Sequence, residues 1–193
     1  MKKIAILTSG HSRGSNFRNI CEYIKENKCD IQIEFLLVTD ASAPVIELAR
    51  QQDIKIVYFL DKKYFDKSLI DLCETYELDL IVLAGFIRKI PREFLQRIKT
   101  PIVNIHPALL PKYGGKGMYG MYVHETVFKS KETVSGATVH LVNEHYDEGK
   151  ILQQKSCDIS KCISPQEIAD TVIKIEHEIY PKTIVKILQE DKV

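Results

Sequence analysis

An asparagine and a histidine stand two residues apart at the end of an apolar run, in the segment PIVNIHPALLPKYGG that begins at Pro101. On a strand, Asn104 and His106 would point to the same side and face one cleft. An amide donor beside an imidazole suits acyl-type transfer, because the amide stabilises the oxygen that becomes negative and the imidazole moves or stabilises charge. The segment has no serine or cysteine to form an acyl-enzyme, which favours direct attack by a substrate nucleophile. Its three prolines fix the backbone around the pair, which favours chemistry over a core histidine.

An imidazole in this role commonly needs a carboxylate that sets its charge and orientation. The polar segment NEHYDEGK, later in the chain, offers Glu144, Asp147 and Glu148 beside a glycine. Spacing alone does not choose among the three, and a solvated hairpin turn is the alternative interpretation.

The elements that must position these residues alternate along the first part of the chain. Strand patterns occur at KIAILT, IQIEFLLV, IKIVYF, DLIVLAG and PIVNIH, and helical spacing at NFRNICEYIKEN, APVIELARQQ, YFDKSLIDLCETY and PREFLQRI. This alternation predicts right-handed crossovers and a parallel sheet with helices on both faces. Ligands bind such sheets at the carboxyl ends of the strands.

The pattern changes after Gly115. A helix is predicted at YGMYVHETVFKS, two antiparallel strands at SGATVHLV and KILQQKSCDI, and a final helix from Ser164, where Ser164 and Glu167 form a capping-box pattern and Pro181 should interrupt the helix. The predicted fold class is α/β: one domain over residues 1–193, with a Rossmann-like, mainly parallel sheet and an antiparallel C-terminal edge.

The loop SGHSRGSN, residues 9–16, follows the first strand and precedes a helix. Its glycines and small polar residues predict that backbone amides and a helix N-terminus receive an anion, namely a phosphate. The loop is neither a Walker A motif nor a G-x-G-x-x-G motif. The alternative is a polar turn in which Ser15 or Asn16 caps the helix.

The loop GFIRKIP follows the fourth strand. Its apolar residues Phe86, Ile87 and Ile90 could line a pocket for a flat ring, with Arg88 and Lys89 beside them. The alternative is that these residues pack in the core or carry solvated charge.

The net charge, the cysteines and the apolar stretches of the chain argue against several classes of function. The 193 residues carry a formal net charge of +1, which argues against a nucleic-acid surface. The five cysteines are scattered and odd in number, so we expect reduced thiols, no metal site and a cytoplasmic protein. No apolar stretch is long enough to span a bilayer, and no signal segment is present, so no membrane association is expected.

Five segments together resemble the phosphoribosylglycinamide formyltransferases, which are folate-dependent enzymes of purine synthesis. They are SGHSRGSN, LAGFIRKI, VNIHPALLPKYGGKGMYG, SGATVHLVNEHYDEGKILQQ and IEHEIYP, and they cover nearly the whole chain. The run of asparagine, one residue, histidine and proline, followed by Leu-Leu-Pro, is highly specific to formyltransferases. The resemblance implies formyl transfer from 10-formyltetrahydrofolate, as co-substrate and without a metal, to the amine of glycinamide ribonucleotide.

The resemblance also implies roles for particular residues. It makes Asn104, His106 and Asp147 catalytic, so that the protonated imidazole and the amide stabilise the oxyanion while Asp147 keeps His106 charged. It places Glu176 near the substrate amine. The remaining matches are to phosphate-binding positions (Gly10, Arg13, Gly14, Ser15 and Asn16) and to folate-binding positions (Lys62, Ile87, Arg88, Lys89, Ile90, Asn104 and His140). Residues 1–100 would form the phosphate-binding half and residues 101–193 the catalytic and folate-binding half.

Three features depart from the commonest family pattern. The phosphate loop, residues 9–16, is about two residues longer, with Arg13 in the added part. Lys62 stands where family members often have an arginine that contacts the folate. The positive charge is kept, but a lysine cannot bind a carboxylate through two parallel hydrogen bonds as an arginine can. Residues 112–122 form a longer loop, interpreted as a cover over the site.

Other functions stay open at this point. Methionyl-tRNA formyltransferases and formyltetrahydrofolate deformylases carry an extra domain for which 193 residues leave no room, whereas formyltransferases of amino sugar nucleotides are harder to exclude. A non-catalytic dinucleotide-binding module is disfavoured because the glycine fingerprint is missing. The expected assembly is a monomer or a homodimer.

Overall fold

The apolar segments of the first hundred residues form parallel strands. The structure is a computed structural model that describes residues 1–9, 13–59 and 62–190. Its first four strands are β1 (Lys2–Thr8), β2 (Ile31–Val38), β3 (Ile56–Val57) and β4 (Leu80–Leu83). They lie side by side in the order β3-β2-β1-β4, and each pair is parallel. Ile4 to Leu7 and Phe35 to Val38 are fully buried, as expected for strands covered on both faces.

Strand β3 is shorter than IKIVYF predicts. Only Ile56 and Val57 form ladder pairs, with Leu36 and Leu37 of β2. The strand lies at the edge of the sheet and its residues are only half-buried, so little packing energy extends it.

Helices connect these strands as the alternation predicts. They are α1 (Ser15–Glu26), α2 (Val45–Gln51), α3 (Phe65–Thr75), which follows a short 3-10 turn at Lys62–Tyr64, and α4 (Arg92–Arg97). Helix α1 buries Phe17, Ile20 and Cys21 at the i, i+3, i+4 spacing of an apolar face.

The second part of the chain is antiparallel. Strand β5 (Ile102–His106) pairs with β6 (Val134–Leu141), and β6 pairs with β7 (Ile151–Asp158). Helix α5 (Met121–Lys129) precedes β6, and helix α6 (Pro165–Gln189) follows β7. The described residues thus form a single-domain α/β fold whose seven strands run in the order β3-β2-β1-β4-β5-β6-β7, which confirms the predicted fold class.

The expected interruption at Pro181 is wrong, because α6 is one helix of 25 residues. Proline inside a helix removes a backbone hydrogen bond and costs about 3 kcal/mol. Burial on both sides of it offsets this cost, since Ile179 and Tyr180 precede it and Ile184 and Ile187 follow it, all in the core. Half of the predicted capping box forms at the helix start: Ser164 Oγ accepts from the Glu167 N–H at 3.3 Å, whereas the Glu167 carboxylate accepts from the Ile163 N–H at 3.0 Å.

The chain packs as two compact units. One comprises Met1–Ile102 with the segment that starts at Ile187, and the other comprises Val103–Lys186.

No helix among the described residues is long and apolar enough to cross a membrane. The assignment of phosphate binding to residues 1–100 and of catalysis to residues 101–193 stays a prediction.

Candidate active site

The end of β5 presents Asn104 and His106 on one face of the sheet. Their partners across the antiparallel ladder are His140 and Thr138 of β6. Residues directly opposite in such a ladder point to the same side, so four polar side chains share one surface. His106, Thr138 and His140 are buried, and Asn104 is half-buried. The alternation of side chains in the NIH segment therefore places Asn104 and His106 on the same face, as the sequence predicts.

The structure brings one of the three candidate carboxylates to this surface. Asp147 Oδ2 lies 3.6 Å from His106 Nδ1, and Asp147 Oδ1 lies 3.6 Å from His140 Nε2. Glu144 and Glu148, its neighbours in the same connection, are exposed. The two imidazoles thus flank a single carboxylate, the one that the family resemblance indicates.

Backbone geometry turns Asp147 inward. Its φ of +58° is in the left-handed region, which aspartate enters more readily than most residues. Gly115 N–H donates to Asp147 Oδ2 at 2.9 Å. A Cβ at the preceding residue, Gly114, would lie 2.6 Å from Leu110 Cδ2 and 3.2 Å from Asp147 Cβ, so a larger residue there would displace these side chains. The two glycines that close the motif therefore hold the carboxylate in place.

The proton position on His106 follows from its partners. Its Nε2 lies 2.8 Å from the Tyr113 carbonyl oxygen, and a carbonyl oxygen only accepts, so Nε2 carries the proton. The neutral ring then has its lone pair on Nδ1, the atom nearest to Asp147.

Two opposing effects act on the pKa of His106. Burial lowers it, whereas the Asp147 carboxylate and the bond to the Tyr113 carbonyl raise it, and the net direction is down. The expected support from Asp147 is present, but burial outweighs it. Burial therefore favours the neutral imidazole in the ligand-free protein, in contrast to the charged His106 that the resemblance implies.

His140 orients the Asn104 amide. The Nδ1 of His140 lies 2.9 Å from the Leu141 carbonyl oxygen and must donate to it. When Nδ1 carries the only proton of the ring, Nε2 accepts from Asn104 Nδ2, at 3.2 Å. One N–H of the amide is occupied in this way, and the second is left to donate to a substrate oxygen.

Asp147 is ionised at neutral pH. Burial alone would raise the pKa of its carboxyl, but the His140 side chain, the positive charge that His106 carries when it is protonated, and the Gly115 N–H lower it, and the net direction is down. The buried anion is thus stabilised by its neighbours, and it can in turn stabilise a positive charge on either ring.

A hydroxyl that the sequence analysis missed holds the loop after β5. Thr138 Oγ1 donates to the Ala108 carbonyl at 2.6 Å and accepts from the Leu110 N–H at 3.1 Å. Gln154 Nε2 on β7 donates to Thr138 Oγ1 at 2.8 Å and to the Leu110 carbonyl at 3.0 Å. The Leu110–Pro111 peptide bond in this loop is cis. Thr138 lies two residues before His140, and that alternation was the signal available in the sequence.

A third histidine, His124 on α5, was also missed. It is buried, and its Nδ1 makes no hydrogen bond in the described part of the chain. Burial, together with the nearby charge of His106, lowers the pKa of His124 to about 4, against a smaller opposing effect of Asp170. The imidazole of His124 is therefore neutral at neutral pH.

Glu176, expected near the substrate amine, is buried on α6. One turn further along the same face, the Tyr180 hydroxyl donates to the Val103 carbonyl at 3.3 Å. Val103 directly precedes Asn104, so this face of α6 lies against β5. The role of Glu176 stays a prediction.

The predicted phosphate loop lies at the start of α1. Gly14, with a φ of +79°, is the N-cap, and no described side chain caps the helix. The alternative in which Ser15 or Asn16 caps it is therefore wrong. Arg13 and Ser15 are exposed, and no residue of the first turn is acidic, so the positive end of the helix is accessible. Gly10 lies outside the described residues.

The predicted folate loop is tied to the end of β1. Ile87 N–H donates to the Ser9 hydroxyl at 2.8 Å. Arg88 stacks on the Phe65 ring at 4.0 Å, while Ile87 is exposed and Ile90 is buried in the core.

Two positively charged residues complete the predicted folate set. Lys89 is exposed. Lys62 begins the 3-10 turn, and its side chain lies outside the described part of the chain. The described residues also contain no cluster of three or more histidine, cysteine or acidic side chains that could hold a metal.

Several known proteins with similar sequences share one name, phosphoribosylglycinamide formyltransferase. The chain is 36% identical over 195 residues to the chloroplastic phosphoribosylglycinamide formyltransferase of Arabidopsis thaliana. This alignment covers 98% of this chain and 66% of the plant protein. It is 35% identical over 193 residues to the phosphoribosylglycinamide formyltransferase of Bacillus subtilis, which covers 97% of this chain and 95% of that protein. The chain spans only 66% and 62% of the lengths of the two plant relatives.

Solved structures agree with these relatives. The glycinamide ribonucleotide transformylase 1 of Symbiobacterium toebii superposes with a TM-score of 0.87 at 26% identity, over 98% of this chain and 88% of that one. The phosphoribosylglycinamide formyltransferase of Bacillus halodurans gives the same TM-score and identity over 99% and 97% of the two chains. Residues 2–184 match the sequence family described as formyl transferase, and the chain belongs to that family.

Proposed function

We propose that this protein transfers a formyl group from 10-formyltetrahydrofolate to the amine of phosphoribosylglycinamide, a step of purine synthesis. The observation that carries the proposal is the cluster of Asn104, His106 and Asp147 in a member of the formyl transferase family. Relatives of similar length carry that activity in their names. Both substrates are small molecules.

In the proposed mechanism the amine attacks the formyl carbon directly. The carbonyl oxygen becomes negative, and the second N–H of the Asn104 amide donates to it. The amine nitrogen loses a proton to His106, directly or through one water, and the imidazolium that forms adds to the stabilisation of the oxyanion. The protonated His106 expected from the sequence thus arises during the reaction.

Collapse of the intermediate completes the transfer. The bond between the formyl carbon and N10 of the folate breaks, and His106 returns the proton to N10, so that tetrahydrofolate leaves as a neutral amine. Asp147, 3.6 Å from His106 Nδ1, stabilises the imidazolium while it exists. No covalent intermediate forms on the protein.

The remaining predicted residues complete the proposal for substrate binding. The amides and side chains of the loop at the start of α1 (Gly10, Arg13, Gly14, Ser15 and Asn16) receive the substrate phosphate, supported by an accessible helix N-terminus. Glu176 binds the amine end. The folate lies against Lys62, the loop from Ile87 to Ile90, Asn104 and His140.

The test is a spectrophotometric assay of the purified chain with a 10-formyl-folate donor and glycinamide ribonucleotide. Amine-dependent turnover supports the proposal. Folate release without the amine would indicate a deformylase. Turnover with an amino sugar nucleotide but not with glycinamide ribonucleotide would replace the proposed acceptor.

The proposal extends to location and assembly. A cytoplasmic protein fits five cysteines that form no disulfide in the described chain, and we expect a monomer or a homodimer. Sedimentation of the purified chain distinguishes these two states from larger assemblies.

A further inference from the structure

The protonation site of His106 is set by a residue outside the predicted catalytic trio. The Tyr113 carbonyl oxygen accepts from His106 Nε2 at 2.8 Å, which assigns the ring proton to Nε2. The other ring nitrogen, Nδ1, faces the carboxylate oxygen of Asp147 at 3.6 Å. A neutral ring in this tautomer has one basic nitrogen, and that nitrogen lies beside the anion that stabilises the added proton.

The Tyr113 backbone is in an unusual conformation. Its φ is +57°, a left-handed value that is unfavourable for a bulky residue and persists only when the surroundings hold it. The conformation turns the carbonyl towards His106.

The Tyr113 side chain supplies the anchor. Its hydroxyl donates to Glu132 Oε1 at 2.9 Å, and Lys112 Nζ contacts the same oxygen at 3.1 Å. Glu132 belongs to the connection between α5 and β6, nineteen residues further along the chain, and its carboxyl pKa is lowered mainly by the bond from Tyr113 and then by Lys112. The phenol is therefore fixed to an ionised carboxylate, and its backbone carbonyl is fixed with it.

We propose that Tyr113 and Glu132 are positioning residues for the formyl-transfer reaction: the Tyr113 carbonyl selects the Nε2–H tautomer of His106, and Glu132 holds Tyr113 in the conformation that presents this carbonyl. The kinetic part rests on the proposed function. The tautomer itself is a property of the protein without substrates.

The tautomer decides which nitrogen exchanges the substrate proton. With Nε2–H fixed, the proton enters and leaves at Nδ1, where Asp147 lies. With the opposite tautomer, Nδ1 would already carry its proton and could not accept another. Other titratable groups that act on His106 are His140 of β6 and His124 of α5, and neither bonds to its Nε2.

The first readout is the nitrogen NMR spectrum of histidine-labelled protein, with the His106 signals assigned from a His106→Gln variant. In the neutral wild-type ring we expect Nε2 to be protonated and Nδ1 to be unprotonated. In Tyr113→Phe and Glu132→Ala the two nitrogen shifts should move towards each other, because both tautomers become populated. Glu132→Gln keeps an acceptor for the phenol and should restore the wild-type pattern.

The second readout is steady-state kinetics. Loss of the anchoring bond should lower kcat about 10- to 150-fold, the rate equivalent of one hydrogen bond to a charged group, while KM for both substrates stays unchanged. Because the Tyr113 bond raises the pKa of His106, its loss should also move the acid limb of the pH profile to lower pH. General structural damage would lower kcat without moving that limb.

Lys112→Met is the matched control. It removes the exposed ion pair to Glu132 but keeps the phenol bond, so kcat and the spectrum should not change. An Nδ1–H tautomer in the wild type, or an unchanged His106 spectrum in both Tyr113→Phe and Glu132→Ala, would overturn the proposal. The spectrum decides this even if the proposed formyl transfer is absent.

Discussion

Replacing Asp147 by asparagine removes a charge and little else. The side chains have nearly the same shape, and the asparagine oxygen can still accept from the Gly115 N–H, so the turn should survive. At 3.6 Å from His106 Nδ1, the carboxylate attracts an imidazolium by about 4 to 5 kcal/mol when the effective dielectric constant is about 20. That energy is available only while His106 is charged, which in the proposed mechanism is during the reaction.

The expected loss follows from this attraction. Each 1.36 kcal/mol of lost stabilisation costs about tenfold in rate, so the ceiling is about three orders of magnitude. Relaxation of the site recovers part of the energy, and we expect kcat to fall by about 100- to 1000-fold, with a much smaller change in KM. Because the carboxylate raises the pKa of His106, Asp147→Asn should also move the acid limb of activity to lower pH.

The assay is turnover with both substrates saturating, measured from pH 5 to pH 9. Glu148→Gln is the matched control, because it removes an exposed carboxylate from the adjacent position of the same turn and should leave kcat within about twofold. An Asp147→Asn variant that keeps more than a tenth of the wild-type turnover would refute the electrostatic role, as would an equal loss in Glu148→Gln.

Other measurements test the site and the fold. Asn104→Ala should lower kcat by about two to three orders of magnitude, the usual cost of one oxyanion donor, and unchanged turnover would remove the amide from the mechanism. Burial lowers the pKa of His124 from 6.5 to about 4, so its contribution to stability is complete above pH 6.5 and falls by about 2 kcal/mol between pH 7 and pH 5. Urea unfolding of His124→Gln should lack this loss, and that of the exposed His145→Gln should keep it. Gly14→Ala, with a φ of +79° and a Cβ 2.5 Å from Val45 Cγ2, should lower the free energy of unfolding by about 2 to 4 kcal/mol. Gly117→Ala, at a φ of +90° with open space around the new Cβ, should lower the free energy of unfolding by only about 1 to 2 kcal/mol. Equal losses in the two variants would show that the contact with Val45 does not contribute to the cost at Gly14.

The sequence predicts most of the framework because local patterns determine it. Continuous apolar runs and helical spacing place β1, β2 and β4 and the helices between them, and the alternation in NIH places Asn104 and His106 on one face. Pro181 shows the limit of such reasoning: its local cost is real, but burial of the surrounding helix, which depends on the whole fold, outweighs it.

The site is less predictable because backbone geometry determines much of it. Spacing could not choose Asp147 over Glu144 and Glu148, since the choice depends on a left-handed φ and on the N–H of Gly115, distant in the sequence. The part played by Tyr113 involves its carbonyl oxygen, a group that every residue has. No pattern of side chains marks such a residue.

The two tautomers together explain how a buried site with a neutral histidine can take a proton from an amine. A backbone carbonyl accepts from Nε2 of His106, and another accepts from Nδ1 of His140, so the other nitrogen of each ring faces Asp147. Asn104 satisfies the lone pair of His140, and the Gly115 N–H satisfies one carboxylate oxygen in part. The lone pair of His106 and the carboxylate beside it have no proton between them. In the proposed mechanism, the proton that the attacking amine releases occupies this position, where Asp147 attracts it, and His106 then returns it to the leaving nitrogen.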